Sequence, residues 1–261
     1  MSWAITGASV EGSKRGGDRA RNEDTYHCER LGGGEAVAML LADGAGSATH
    51  ARAGARLAVS AAREALWAVS QDSFHPEALG DMMLATFARA RAALVDHAAA
   101  RGVAVEELAT TLILVLADAR QVSVAQIGDG LVAVLQDDGS LVSLSPDKDF
   151  DGYVNETHFL TQANWRDDLH LRTVAWAGQG AVIALTDGVE LLATHRGKPL
   201  PGFMIPLAKA ARRLDVGERQ RSEALATFLR SERVCRHTDD DKTVVVAVRQ
   251  PPEVTADAGQ V

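Results

Sequence analysis

Cysteine is nearly absent from this 261-residue chain, which has two such residues, Cys28 and Cys235. Two thiols cannot build a disulfide framework or a four-thiolate zinc site, and they are typical of a protein in a reducing compartment. Proline is also scarce, with seven residues, and no Pro- or Ser-rich linker divides the chain. The sequence therefore predicts one large domain rather than several joined by linkers.

Long apolar runs and basic clusters are missing as well. The longest apolar stretches, residues 36–42 and 112–117, are far shorter than the roughly 18–20 residues of a membrane span, and the first residues lack the features of a signal peptide. Lys and Arg number 27 against 35 Asp and Glu, so the net charge is −8, which argues against binding to nucleic acid. We therefore expect a cytoplasmic protein with neither a nucleic-acid nor a membrane partner.

The chain does contain runs of strand-like segments with helix-like segments grouped between them. Strands are predicted over residues 3–9, 25–31, 36–42, 110–116, 121–127, 131–136, 140–144, 171–176, 181–186 and 243–249. Helical spacing of apolar residues predicts helices over residues 51–69, 76–100, 189–193, 203–214 and 218–230. Because helices do not alternate with single strands, the pattern indicates an α+β fold of two stacked sheets, each covered by helices.

Two segments lack this periodicity. Residues 145–168 are polar and irregular, and a loop of this length inside a domain is usually functional or mobile. They are candidates for a flap that contacts a substrate, and a plain surface connection is the alternative. Residues 251–261 are expected to form a disordered C-terminal tail.

Acidic side chains stand where the predicted strands meet loops. Three apolar strands are each followed by an Asp-Gly pair, at Asp43, Asp129 and Asp187. Glu23 and Asp24 precede another strand, and residues 239–241 are three Asp before the last one. Clustered carboxylates with few His or Cys suit Mg²⁺ and Mn²⁺. Each Asp-Gly pair is also an ordinary turn, so the residue types alone leave a metal site and a turn-rich surface equally open.

The order of the motifs along the chain adds the deciding information. The series is Arg19-Ala20-Arg21-Asn22-Glu23-Asp24, Leu41-Ala42-Asp43-Gly44-Ala45-Gly46, Ala109-Thr110-Thr111, Ile127-Gly128-Asp129-Gly130, Leu185-Thr186-Asp187-Gly188-Val189 and Asp240-Asp241-Lys242-Thr243. It resembles, in the same order, the metal-dependent protein phosphatases of the type 2C class, and most of all their bacterial members. The resemblance covers about residues 1–250.

This resemblance implies a fold and an activity. The fold is an α-β-β-α sandwich of four layers, with two antiparallel sheets flanked by helices. The activity is that of a protein serine/threonine phosphatase, an enzyme dependent on two or three Mg²⁺ or Mn²⁺ ions. A metal-activated water would attack the phosphate of phosphoserine or phosphothreonine in line. The implied partners are a phosphorylated protein and its cognate Ser/Thr kinase, and we expect a monomer whose phosphatase domain spans residues 1–250.

The resemblance also implies a catalytic metal site. Asp43 and the carbonyl group of Gly44 would bind the metal pair, with Asp43 bridging both ions. Asp187 and Asp240 would complete the site. Asp240 is chosen from the acidic triplet because the family places its ligand three residues before the Thr or Ser that starts the last strand, which here is Thr243.

Further residues would support this site. Glu23 and Asp24 would hold one ion or its waters, and Asp129 would bind the third, weaker ion. Arg19 matches the arginine that binds the substrate phosphate, and Arg21 is the competing choice. With these assignments, six acidic residues of the chain belong to one site, so the excess of negative charge is expected to be local.

The sequence departs from the family pattern at three positions. Ser47 follows Gly46 where a further glycine is frequent, and Leu131 replaces the arginine that usually follows the Asp-Ser/Thr pair. Ala45 stands where eukaryotic members carry a histidine that is a candidate general acid. Metal-bound water or another residue, such as His50, would then protonate the leaving group.

Two other functions stay open at the level of the sequence. The first is a non-catalytic regulatory module that keeps the phosphatase fold and binds phosphoproteins. The second is a hydrolase of small phosphomonoesters that uses the same metals. The retained acids Asp43, Asp187 and Asp240 count against the first, whereas the second differs in its substrate and not in its metal chemistry.

Overall fold

Two antiparallel sheets of five strands each form the centre of the computed structural model, which describes residues 3–13, 22–70, 79–147, 157–176 and 180–250. The first sheet has the order β1 (Trp3–Val10), β12 (Lys242–Arg249), β9 (Ala181–Leu185), β6 (Leu131–Leu135), β7 (Leu141–Ser143). The second has the order β2 (Thr25–Leu31), β3 (Ala36–Ala42), β4 (Leu112–Ala117), β5 (Gln121–Ile127), β8 (His170–Ala175). A short hairpin pairs β10 (Thr194–His195) with β11 (Lys198–Pro199).

Helices pack on the outer face of each sheet. The second sheet is covered by α1 (Ala51–Ser70) and α2 (Leu79–Arg101). The first sheet is covered by α4 (Pro201–Ala211) and α5 (Glu218–Leu229), with α3 (Asp187–Ala193) and α6 (Glu232–Cys235) beside them. The predicted α-β-β-α sandwich of two antiparallel sheets flanked by helices is thereby confirmed.

Strand β3 shows how the sequence produces these layers. All seven of its residues are buried, because side chains alternate between the two faces of a strand and both faces are covered. Ala38, Leu40 and Ala42 pack with the helices α1 and α2. Val37, Met39 and Leu41 point the other way and pack between the two sheets. A third cluster of buried residues lies between the first sheet and α4 and α5.

Several element boundaries differ from the predicted ones. Strand β4 begins at Leu112 instead of residue 110, because Thr110 pairs with Gly44 in an isolated bridge. The Asp-Gly pair at Asp187 is not a turn after a strand: β9 ends at Leu185, and Asp187 is the first residue of α3. The short helix α6 and the hairpin of β10 and β11 were not predicted, because elements of two to four residues carry too little periodicity.

Several sequence predictions fall outside the described residues. These are the two candidate phosphate-binding arginines Arg19 and Arg21, residues 148–156 of the candidate flap, and the tail over residues 251–261. Among the residues that are described, no helix combines the length and the apolarity that crossing a membrane requires.

Candidate metal centre

An acidic cavity of about 490 Å³ lies where strands of both sheets end. Six carboxylate residues line it, namely Glu23, Asp43, Asp129, Asp187, Asp240 and Asp241. Gly44 lines it as well, so the fold brings together all but one of the described residues that the sequence predicts as metal ligands. The exception, Asp24, is buried beside Asp43 and is not part of the cavity wall.

Three of these carboxylates converge on one point. Asp43, Asp129 and Asp187 each offer a carboxylate oxygen, and the three oxygens all lie within 4.8 Å of one another. Asp43 and Asp129 follow β3 and β5 of the second sheet, whereas Asp187 begins α3 after β9 of the first sheet, so the packing of the two sheets decides their proximity. Oxygen donors at such mutual distances match the donor set that hard divalent cations select.

Two threonines hold the backbone of Asp43 in place. The amide of Asp43 donates to Oγ1 of Thr111 at 2.9 Å, and the carbonyl of Asp43 accepts from Oγ1 of Thr110 at 2.9 Å and from the amide of Thr111 at 2.9 Å. The next residue must be glycine, because a Cβ on Gly44 would lie 2.5 Å from the Ala51 carbonyl group. Thr110 and Thr111, whose role the sequence pattern did not indicate, thus hold the backbone of Asp43 in place so that its carboxylate lies in the cavity.

Asp24 provides a further indication that a cation belongs here. Its Oδ2 accepts hydrogen bonds from the hydroxyl groups of Thr186 and Thr243 at 2.7 and 2.8 Å. Its Oδ1 has no hydrogen-bond donor among the described residues, although the side chain is buried. Burial raises the pKa of Asp24 to about 7, and the charge of Asp241 acts in the same direction. An oxygen that is buried without a donor is costly unless a cation or a proton compensates it.

Burial and nearby negative charge also raise the pKa values of two other acids in the cluster. Burial, together with the charge of Asp129, raises the pKa of Asp187 to about 6. Burial raises the pKa of Asp43 well above its usual range, and the neighbouring charges of Asp24 and Asp187 add to this effect. Carboxylates this close repel one another when ionised, so the residues fit a site that divalent cations neutralise.

The two last acids of the triplet have different surroundings. Both oxygens of Asp241 are engaged, since Oδ1 accepts from the amide of Gly12 and Oδ2 accepts from the amide of Glu23, each at 2.7 Å. Asp240 lines the same cavity, and its Oδ1 accepts from the amide of Asp241 at 3.0 Å. The structural role of Asp241, which the sequence did not indicate, leaves Asp240 as the better candidate ligand of the pair.

Part of the candidate flap borders the cavity. Thr157 donates from Oγ1 to Oδ2 of Asp129 at 3.0 Å, and Phe159 lines the cavity wall. The segment is anchored by the buried side chains of Leu160 and Trp165 and by the amide of Leu160, which donates to the Thr110 carbonyl at 2.9 Å. Residues 157–168 of the candidate flap therefore contact a carboxylate of the cluster, and a role in binding substrate stays a prediction.

The candidate general acid His50 lies elsewhere. Its Nε2 is 3.9 Å from Oε2 of Glu107, and neither residue lines the acidic cavity. Ala45, at the position where some relatives carry histidine, does line the cavity. No histidine belongs to the part of the cavity wall that the structure describes, so these residues offer no imidazole as a proton donor.

Comparison with known proteins agrees with the fold and with the acidic cluster. A sequence profile described as protein phosphatase 2C matches residues 11–230. Serine/threonine-protein phosphatase 3 of Escherichia coli (strain K12) is 32% identical over 224 residues, which cover 81% of this chain and 83% of that protein.

Solved structures show the same fold. The serine/threonine phosphatase of S. agalactiae superposes with a TM-score of 0.65 at 15% identity, covering 94% of this chain and 98% of that one. The catalytic domain of the serine/threonine phosphatase PstP, solved in complex with two manganese ions, superposes with a TM-score of 0.59 at 19% identity, covering 95% of this chain and all of that one. The matched profile and the identity of 32% with the E. coli phosphatase, together with the sandwich fold, show that the chain belongs to the protein phosphatase 2C family.

Proposed function

We propose that the acidic cavity is the active site of this metal-dependent serine/threonine protein phosphatase, with Asp43, Asp187 and Asp240 as its catalytic metal ligands. The observation that carries the assignment is the convergence of the Asp43, Asp129 and Asp187 oxygens within 4.8 Å, in a cavity with no compensating basic residue on its described wall. The identity of 32% with an E. coli serine/threonine phosphatase over 81% of the chain supports the same substrate class.

Each acidic residue has a part in this proposal. Two Mg²⁺ or Mn²⁺ ions would be held by Asp43, by the Gly44 carbonyl, and by Asp187 and Asp240, with Glu23 next to them. Asp24, which is buried beside Asp43, would hold one ion or its waters through the carboxylate oxygen Oδ1. Asp129 would be a ligand of a third ion, and Thr157 would orient its carboxylate through the 3.0 Å hydrogen bond.

The chemistry follows from what lines the cavity. Bound divalent cations lower the pKa of water and neutralise the charge of phosphate oxygens. Neither Cys28 nor Cys235 lines the cavity, so no thiol is placed to attack the phosphate. The carboxylates would hold the cations, and the hydrogen bonds to Thr110 and Thr111 would keep Asp43 in place. Arg19 would bind the remaining phosphate oxygens as a bidentate donor.

The phosphatase domain is proposed to include the last strand of the first sheet, β12. The phosphatase domain would span residues 1–250, because β12 lies between β1 and β9 in the first sheet although the matched profile ends at residue 230. We further propose that the protein is a cytoplasmic monomer, and that its phosphoprotein substrates are produced by a Ser/Thr kinase.

Turnover on matched peptides tests the function. We expect Mn²⁺-dependent release of phosphate from phosphothreonine and phosphoserine peptides, little release from a phosphotyrosine peptide of the same sequence, and none with a chelator. Hydrolysis of small phosphomonoesters without hydrolysis of any phosphopeptide would support a small-molecule phosphatase instead. Binding of a phosphopeptide without turnover at saturating Mn²⁺ would establish the regulatory module.

Arg19 provides a separate prediction. Replacing Arg19 by Gln should raise the KM for a phosphothreonine peptide about 10- to 100-fold, because one or two charge-assisted hydrogen bonds to phosphate are lost. Steady-state kinetics measures this change, and titration with Mn²⁺ should show unchanged metal affinity. The matched control is Arg21→Gln: if that variant raises KM and Arg19→Gln does not, the phosphate-binding role belongs to Arg21.

A further inference from the structure

A second cavity, of about 640 Å³, lies among the helices that cover the first sheet, and it shares no residue with the acidic cavity. Its walls are mainly apolar side chains of α4, α5 and α6 and the segments beside them, including Leu200, Phe203, Leu207, Leu225, Phe228 and Val234. Its size lies within the roughly 300–1,000 Å³ of small-molecule sites. The phosphatase mechanism does not use any of these residues.

The protein around this cavity is basic, although the whole chain is acidic. Residues 201–236 contain eight Lys and Arg against four Asp and Glu, whereas the chain has a net charge of −8. Each of the four acids is already paired with an arginine, in the pairs Asp215–Arg213, Glu218–Arg30, Glu223–Arg219 and Glu232–Arg236. Arg221 and Arg233 both line the cavity, and neither has a carboxylate partner among the described residues.

Arg221 is the more unusual of these two arginines, because it is only 9% exposed. Its Nε donates to Oγ1 of Thr6 at 3.2 Å, and its Nη1 donates to the carbonyl groups of Arg213, at 3.0 Å, and Val216. All of these acceptors are neutral. A buried guanidinium without an anion keeps much of its desolvation cost, so an anion that enters the cavity is favoured.

The shape of the cavity indicates what kind of anion fits. Its wall includes Thr6 of β1, a residue that is 5% exposed, so the cavity reaches between the helices as far as the sheet. An α-helix with its side chains is about 10–12 Å wide and suits an open groove on a surface. An extended alkyl chain is much thinner and can lie in the cavity along the apolar surface that Phe203 and Phe228 form, two rings that contact each other with their centroids 6.1 Å apart.

We propose that this cavity binds an aliphatic carboxylate of the fatty-acid class. The alkyl chain packs against the apolar side chains of α4 and α5. The carboxylate pairs with the exposed guanidinium of Arg233, while the buried charge of Arg221 adds a positive potential. The site is independent of the proposed metal centre, since no lining residue is shared.

Calorimetric titration of the full chain with dodecanoate, below its micelle concentration, tests this proposal. We expect saturable binding of one molecule per chain, with the same affinity in Mn²⁺ and in chelator, and no binding of dodecyltrimethylammonium. Arg233→Gln should weaken dodecanoate binding about tenfold, the effect of losing one charge-assisted hydrogen bond. Arg230→Gln, an exposed arginine that does not line the cavity, is the matched control and should bind dodecanoate normally.

A second pair of variants tests the place of binding without relying on charge. Ala224 is exposed and lines the cavity, whereas Thr227 on the same helix is exposed and does not. Ala224→Trp should fill the space and abolish binding, while Thr227→Trp should preserve it. Equal binding of dodecanoate to both Trp variants, equal binding of the cationic amphiphile, or saturable binding of an acidic amphipathic peptide in place of dodecanoate would each overturn the proposal.

Discussion

Asp43→Asn is expected to lower Mn²⁺-dependent phosphatase activity at least about 100-fold, because even residues that only support a metal ligand cost 10- to 100-fold when they are changed. Asp43 occupies the centre of the cluster, with Asp24 and Asp187 as its charged neighbours. The amide side chain retains the shape of the residue but offers neither the charge nor the second acceptor oxygen that a bridging ligand needs. Hydrolysis of an aryl phosphate over a range of Mn²⁺ concentrations measures the loss, and calorimetry with Mn²⁺ measures the affinity.

The matched control for this variant is Asp96→Asn. Asp96 is an exposed residue of α2 and does not line the acidic cavity, so the same chemical change should leave activity and metal affinity within a factor of two. Full activity of Asp43→Asn would refute the assignment of this cavity as the metal centre. The same result with Asp187→Asn would refute the assignment of that residue.

The second large effect concerns stability in the absence of metal. Asp24 and Asp187 have pKa values raised from 3.8 to about 7 and about 6, so the folded chain holds protons that the unfolded chain has released. Stability therefore decreases as the pH rises from about 4 to about 7, which is the reverse of the behaviour of a salt-bridged acid. Urea unfolding in chelator at pH 5, 6, 7 and 8 should show this decrease, on the order of 2–4 kcal/mol.

The variant Asp24→Asn shows how much of the pH dependence of stability comes from Asp24 and how much from other titrating groups. The Asn carbonyl oxygen can accept from Thr186 and Thr243, and its amide can donate towards Asp43, without any burial of charge. We expect this variant to be more stable than the parent at pH 8 in chelator and to show a flatter dependence on pH. A metal-free parent whose stability rises between pH 5 and pH 8 would contradict the strain that we assign to the cluster.

Addition of Mn²⁺ should reverse the loss. Binding to the folded state alone adds about 2.7 kcal/mol at a free concentration 100 times the Kd. The gain in melting temperature should be larger at pH 8 than at pH 5, because protons compete with the cation for the same carboxylates. A gain that did not depend on pH would indicate that the ion binds outside this cluster.

Most of the secondary structure could be predicted because each element carries its own local pattern. The bounds of β2, β3 and β5 agree with the prediction residue for residue, since all three are bounded by turn-forming residues. Strand β4 was predicted to begin too early because Thr110 and Thr111 favour strands, whereas here their hydroxyl groups hold Asp43. The Asp-Gly pair at Asp187 was predicted as a turn but begins the helix α3, because an acidic side chain is also favourable at the N-terminus of a helix.

The sequence by itself determined the family, the order of the acidic motifs and the period of each buried element, because these are properties of neighbouring residues. Only the tertiary structure decided which groups surround each acid. The hydroxyl groups that bind Asp24 lie 162 and 219 residues away along the chain, and Asp241 binds the amides of Gly12 and Glu23 across 229 and 218 residues.

The distribution of charge was also decided by the tertiary structure. The net charge of −8 is the sum of an acidic cluster in one cavity and a basic helical layer around Arg221. Burial and charge interactions depend on distance in space, so the raised pKa values and the separation of the two cavities arise only when the sheets close on each other.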